Sequence, residues 1–370
     1  MSAEMARKVI ESLDKNIREY DLGAPFFSDQ NYRAFPLEKE NFEPINLTAS
    51  DRNIAFVDGG NQEVLGAPNF SVQINRVYFN IFKGRERIQK SLLPTRIEFF
   101  STTHSSFRNN EVFYDTSIFP LREEFRKLLP NETHLSFNSF DRTITIGTMR
   151  ADISRVASIA RRFAEWAYAT HVVERELEEG DVIVLDGTLQ TAFTNEAIYS
   201  NKLYETSKSK NVIVTGLSKT SGLFTNTGMS LLGAVSKLAE DSKVPHPLWY
   251  LPIAEVTSTD HNAVILVIKL NSKSEHIFRY EIYREQFVKL NDNELNEILS
   301  QLAENSQDVS FPGYPYGLVD ADRFARVATG EVENYKVLLL SEISKRGKWN
   351  KFARHIRAFD AHTILNMLIG

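Results

Sequence analysis

Short apolar runs alternate with longer amphipathic ones along this chain, and their order predicts an α/β protein. Asn53-Ile54-Ala55-Phe56-Val57 reads as a buried strand stopped by Asp58-Gly59-Gly60, where glycines permit a turn. Phe70 to Arg85 and Arg96 to Phe107 are rich in β-branched and aromatic residues with partial alternation, most clearly at Tyr78-Phe79-Asn80-Ile81-Phe82, and read as antiparallel strands beside the first. Glu111 to Phe119 is a third β-prone patch. From Arg150 to Glu178 the period becomes helical. Ile153, Val156, Ile159, Ala160, Phe163, Ala164, Ala167 and Val172 share an apolar face there, and Gly180 stands at the stop. Asp181 to Leu185 is a second apolar strand, closing on Asp186-Gly187. Asn195 to Ser209 reads as a helix, and Asn211 to Gly216 as a third buried strand followed by Leu217-Ser218-Lys219.

A β-meander, a crossover helix, a strand, a helix and another strand belong to the RNase H-like arrangement, a mixed sheet of about five strands with helices on its faces. Two more strands are expected at Asn262 to Leu270 and Phe278 to Tyr283, then helices at Asp292 to Glu304, Asp320 to Ala328 and Glu333 to Lys345. Met1 to Asp21 has Ala6, Val9, Ile10, Leu13 and Ile17 at helical spacing, and Pro25 to Glu43 looks like an irregular lead-in. The expected organisation is therefore residues 1–50 as helix and lead-in, 51–330 as the core domain, and 331–370 as a helical C-terminal extension.

Composition narrows the chemistry. Hydrophobic residues at 42% and charged ones at 25% of 370 residues describe an ordinary globular chain able to bury a sizeable core. With no cysteine, disulfides, thiolate metal sites and cysteine nucleophiles are excluded, so a metal would be held by oxygen or imidazole. The charged start and the lack of a long apolar run point to a cytoplasmic protein with no membrane span. A net charge of -5 argues against a general polyanion binder, but binding depends on local pattern. Lys345, Arg346, Lys348, Lys351, Arg354 and Arg357 form one acid-free basic stretch. The eight histidines show no HxH or HExxH spacing, and there is neither a Walker A loop nor a GxGxxG run.

Candidate chemistry rests on carboxylates. Parallel neighbouring strands would set Asp58 and Asp186 side by side, where two negative charges repel unless a cation lies between them. The plainer alternative is that each aspartate only begins a turn. Mg²⁺ and Mn²⁺ prefer hard oxygen ligands, and two such ions can stabilise both the attacking and the leaving oxygens of a phosphate. A third carboxylate is expected from the crossover helix. Glu165, among Phe163, Ala164 and Ala167, is the first choice, and Asp152 the fallback, although a first-turn role at the helix dipole explains Asp152 equally well. Lys219, just past the third buried strand, is placed to meet a DNA phosphate or to remain a solvated strand end.

The segment Phe311-Pro312-Gly313-Tyr314-Pro315-Tyr316-Gly317-Leu318-Val319-Asp320-Ala321-Asp322 is the strongest local signal. Together with the opening Val-Asp-Gly, the central Leu-Asp-Gly-Thr-Leu and the later Gly-Leu-Ser-Lys, it resembles the NurA nucleases from about Asn53 to Val327. The resemblance implies metal ligands at Asp58, Glu165 and Asp186, a near-site role for Tyr314, and a ligand or proton-transfer role at Asp322. Many members of that family carry histidine at this last place, so Asp322 is a departure and supplies no imidazole. The resemblance further implies a DNA nuclease using Mn²⁺ or Mg²⁺, as two ions, on single- and double-stranded ends. It implies 5′ to 3′ polarity, with single-strand endonuclease activity as an addition. A homodimer docked on a hexameric HerA-type ATPase in DNA end resection and double-strand break repair is also implied. The competing readings are a non-catalytic docking or DNA-binding subunit of the same fold, and a phosphohydrolase of small esters. For the end of the chain the choices are DNA binding through the basic stretch, or docking of a partner by Phe352, Ile356, Phe359, Ile364, Leu365 and Leu368.

Overall fold

The computed structural model describes residues 2–16 and 22–356. Ile17 of the expected first helical face and Arg357, Phe359, Ile364, Leu365 and Leu368 of the expected C-terminal surface lie outside the described residues. An amphipathic helix, α1 (Ala3–Asn16), comes first and buries none of its residues. Where an irregular lead-in was expected, the chain forms short strands, among them β1 (Tyr32–Ala34) and β2 (Glu43–Pro44).

The first long strand, β3 (Ile54–Ala67), differs from expectation in an instructive way: it does not turn at Asp58-Gly59-Gly60 but runs straight through. Neither glycine has a positive φ. Their missing side chains serve close approach instead. A Cβ on Gly59 would collide with the Glu165 carboxyl, and one on Gly60 with the Ala325 carbonyl. Asp58 is thus a mid-strand residue, paired with Tyr78 of β4 (Phe70–Lys83).

After β4 come β5 (Arg96–Arg108), β6 (Glu111–Pro120) and β7 (Ser136–Asn138). The expected single crossover helix is split in two, α2 (Ile153–Ala157) and α3 (Ile159–Glu176), with Ser158 between them. Then follow β8 (Val182–Asp186), α4 (Glu196–Lys210) and β9 (Ile213–Ser218). The last third holds α5 (Leu231–Asp241), β10 (Trp249–Thr257), β11 (Asn262–Lys269), β12 (Phe278–Tyr283), α6 (Asp292–Asn305), α7 (Tyr316–Ala325) and α8 (Thr329–Lys345).

These elements form two compact units. One is built on β3 to β8 with α2, α3, α4, α7 and α8. Its sheet runs β8-β3-β4-β5-β6-β7, antiparallel throughout except that β8 lies parallel to β3, with Leu185 opposite Val57. The start of β9 continues it, Ile213 N–H donating to the Asp181 carbonyl at 2.9 Å. A β-meander, a helical crossover and a strand parallel to the first are the expected RNase H-like order, in a mixed α/β sheet flanked by helices. The other unit holds α5, α6 and an antiparallel sheet in which β10 pairs with β1, β2 and β11, and β12 lies between β11 and the later residues of β9. Sequence reading missed β10 because Pro252 interrupts it. The structure accommodates that proline at a register shift between Pro252 and Ala254.

Helix α7 can lie against β3 only because residue 317 is glycine: a Cβ there would occupy the space of the fully buried Phe56 ring. Asn80 secures the contact, donating to the Gly317 carbonyl at 2.9 Å and to the Asp320 carboxylate at 2.8 Å. Gly317→Ala is therefore expected to destabilise the protein by about 1–3 kcal/mol, the usual range for overpacking, and to loosen α7. Chemical denaturation of the variant against wild type measures it, and an unchanged midpoint would contradict this account of the packing.

Candidate functional site

Three elements of different origin bring aspartates together. In the parallel pair the residues that follow Val57 and Leu185 are Asp58 and Asp186, so the strand register sets these two next to each other. Asp322 comes from α7, two residues after Asp320. Residues two apart on a helix point to nearly opposite sides, and the pair divides accordingly. Asp320 is buried, taking Asn80 Nδ2, the Tyr78 hydroxyl at 3.4 Å and Arg87 Nη1 at 3.1 Å, and so anchors the helix. Asp322 is exposed. One carboxylate oxygen each from Asp58, Asp186 and Asp322 lie within 4.8 Å of one another.

That grouping fits a hard divalent cation. Six oxygens at about 2.1 Å from one ion stand about 3 Å apart when adjacent and about 4 Å when opposite, so a movement of each oxygen by about 1 Å toward a shared ion would complete the contact. The donors are of the chemical type that Mg²⁺ and Mn²⁺ select.

The other expected residues surround this group in different ways. Glu165, 8% exposed on α3, packs over Gly59, next in sequence to Asp58, and is not one of the three grouped carboxylates. It is ion-paired with Arg161 one turn earlier, whose Nη1 also donates to the Gly59 carbonyl at 3.3 Å. The fallback, Asp152, is the N-cap of α2 and accepts from Ser154 N–H at 2.8 Å, which accounts for its place at a helix start.

Asp186 is engaged on both oxygens. Lys219 Nζ reaches Oδ2 at 2.7 Å, and the Tyr314 hydroxyl donates to Oδ1 at 3.3 Å. Lys219 Nζ also stands 5.8 Å from the centre of the Tyr314 ring. Tyr314 is 1% exposed and is fixed by ring contacts with Phe278 and Phe311, each at 5.1 Å between centroids. Its hydroxyl is thereby aimed rather than free to swing. A lysine ammonium on a candidate metal ligand supplies positive charge to the carboxylates.

Two buried carboxylates that sequence reading did not single out hold the segment after Asp186. Glu281 accepts from Leu189 N–H at 2.8 Å. Glu196, wholly buried, accepts from Ala192 N–H at 2.8 Å, Phe193 N–H at 3.1 Å, Trp166 Nε1 at 2.8 Å and Arg162 Nε at 2.7 Å. Burial alone would raise the pKa of Glu281, but the Arg279 charge and His261 hold it down to about 2. An acidic residue in the middle of an apolar strand was a signal that could have drawn notice to Glu281. At the far end of the chain, Phe352 packs edge-on to Phe70 at 6.0 Å and Ile356 is buried, so both face this chain, whereas Lys345, Arg346, Lys348, Lys351 and Arg354 are exposed. Among the described residues no helix is long and apolar enough to cross a membrane.

The NurA domain family profile matches residues 52–327. Among solved structures, the NurA nuclease from Sulfolobus solfataricus is similar over 94% of this chain and 99% of that one, at 12% identity and a TM-score of 0.53. A second crystal structure of NurA covers 90% of this chain and 95% of its own at 9% identity and a TM-score of 0.44. Endonuclease V of Ciona intestinalis, solved with DNA, covers 77% and 87% at 10% identity and a TM-score of 0.36. No match was found among curated proteins.

Proposed function

The chain belongs to the NurA family, its domain spanning residues 52–327, and on that premise we propose that it is a divalent-metal-dependent DNA nuclease. The observation that carries this reading is the meeting of Asp58, Asp186 and Asp322 oxygens within 4.8 Å. A cation there would activate water and neutralise charge on a phosphodiester. Asp58, Asp186 and Asp322 would hold the first ion, with Glu165 the proposed further ligand once its pairing with Arg161 is exchanged. Two ions, Mn²⁺ or Mg²⁺, match this complement of carboxylates.

The chain's own residues do the rest. Tyr314 orients Asp186 through its hydroxyl. Lys219, now on Asp186 at 2.7 Å, would serve to take a phosphate oxygen and the charge that grows on it. Asp322 stands at the exposed side, where a carboxylate can orient water or accept its proton.

The finer features rest on family membership. They are 5′ to 3′ exonuclease action, an added single-strand endonuclease activity, a homodimer, a HerA-type hexameric ATPase as partner, and a place in DNA end resection. The proposed nuclease domain is residues 51–330, flanked by the lead-in 1–50 and the extension 331–370, and the proposed location is cytoplasmic.

Incubating 5′- and 3′-labelled linear single- and double-stranded DNA with Mn²⁺, Mg²⁺ or EDTA tests the reading. Metal-dependent shortening from 5′ ends is expected. No cleavage under any condition, with the ATPase partner also present, would overturn the nuclease reading in favour of a docking subunit. Hydrolysis of a nitrophenyl phosphate ester without DNA cleavage would point instead to a small-ester phosphohydrolase.

A further inference from the structure

Asp186 ends its strand, and what fixes its direction is the turn behind it. Gly187 adopts a φ of +116°, a conformation L side chains rarely take. Its N–H donates to the Leu217 carbonyl at 2.9 Å, and its own carbonyl lies where a Cβ on Gly216 would be only 2.6 Å away. Two residues on, Leu189 N–H donates to Glu281 Oε2. Glu281 stands opposite Gly216 in the β9–β12 ladder, so the same rung shapes both ends of the turn.

Glu281 is wholly buried and is met by more than the Leu189 amide. Arg279 Nη2 reaches its Oε1 at 2.5 Å, and His261 Nε2 its Oε2 at 2.9 Å. The Tyr32 hydroxyl stands 2.7 Å from the other nitrogen of His261. Removing a carboxylate and a guanidinium from water costs several kcal/mol each, and replacing such a pair with apolar side chains is often neutral or stabilising. Stability is therefore a poor explanation for this cluster. Direction is a better one, because an ionised carboxylate holds a backbone N–H more strongly than a neutral acceptor does.

We propose that Glu281 is a positioning residue for the metal centre, its carboxylate fixing the Leu189 amide and so the turn that aims Asp186. The inference rests on the metal-binding reading above. His261, Arg279 and Tyr32 act through Glu281, balancing its charge and fixing its rotamer. None of the four belongs to the group of carboxylates that would hold the ion.

Calorimetric titration with Mn²⁺ of wild type, Glu281→Gln and Glu196→Gln tests this directly. The glutamine at 281 keeps the volume, removes the charge and turns an amide toward Arg279. Outer partners of metal ligands typically contribute 10- to 100-fold in affinity, so Glu281→Gln is expected to weaken Mn²⁺ binding by about that factor, with cleavage largely restored at saturating metal. Glu196→Gln, an equally buried loss of charge further along the same segment, is expected to lower thermal stability but to bind Mn²⁺ within about twofold of wild type.

Mn²⁺ binding by Glu281→Gln as tight as wild type, or an equal loss in both variants, overturns the positioning role and leaves the metal reading standing. Absence of Mn²⁺ binding in wild type overturns the metal reading, and this inference with it. Should Glu281→Gln not fold, hydrogen exchange of wild-type Leu189 decides. A strongly protected amide supports the proposal, and exchange at the rate of an open chain overturns it.

Discussion

Asp58→Asn is expected to lower the proposed metal-dependent DNA cleavage by about 1,000-fold or more while raising the melting temperature measured in EDTA. The first effect follows because a metal ion contributes several kcal/mol of charge stabilisation to phosphoryl transfer, and each 1.4 kcal/mol is tenfold in rate. The second follows from the grouping itself. Three carboxylates within 4.8 Å of one another repel, and the Lys219 ammonium on Asp186 at 2.7 Å brings one positive charge to three negative ones. Asparagine keeps the shape of residue 58 and removes one charge, so the metal-free protein gains stability as it loses function. Asparagine can still accept the Gly59 N–H that Asp58 now takes at 2.7 Å. A cleavage time course and a melting curve on the same preparation check both parts. Full activity, or a lower melting temperature in EDTA, would count against the shared-cation reading of the site.

Lys219→Ala separates binding from catalysis in opposite directions. In the metal-free site its ammonium sits on Asp186 at 2.7 Å, competing with any cation that approaches. Removing it is expected to tighten Mn²⁺ binding several-fold. The same change takes away the group proposed to meet the phosphate, and loss of one such contact commonly costs about 100- to 1,000-fold in rate. Tighter metal with slower cleavage supports both roles. Weaker metal binding would show that Lys219 serves chiefly to orient Asp186, and no change in either quantity would leave it a solvated strand end.

The order of elements was legible because hydrophobic period carries it. Apolar runs at 54–57, 182–185 and 213–216 and the helical stripe from Ile153 to Val172 define the RNase H-like core without any tertiary information. The parallel register then makes Asp58 and Asp186 neighbours. What the pattern misjudged was the glycine pair at 59 and 60. Glycine permits a turn and also permits close approach, and only the neighbouring Glu165 and Ala325 reveal that the second applies. The same ambiguity explains why α7 begins at Tyr316 rather than Asp320: Gly317 looked like part of the Tyr-Pro turn, yet it is the residue that lets the helix rest on Phe56.

Charge roles were the least legible. Asp320 and Asp322 differ by two positions, and their opposite fates depend on where Asn80 and Arg87 stand across the sheet. Glu165 was placed near the site by its apolar neighbours, and its pairing with Arg161 is a helical i, i+4 contact visible in sequence but ambiguous without the strand beneath it. Glu281 meets His261, Arg279 and Leu189, and only the last of these is far from it in sequence. A buried cluster assembled across the sheet in this way leaves only the charged pair Arg279 and Glu281 within an otherwise apolar strand as a local sign.

The central claim is that Asp58, Asp186 and Asp322 share a cation. Crystals grown with Mn²⁺ and measured at the manganese absorption edge test it most directly. The account predicts an anomalous peak within about 2.3 Å of a carboxylate oxygen of each of the three aspartates, lost in crystals of Asp58→Asn. A peak elsewhere, or none at saturating Mn²⁺, would contradict it.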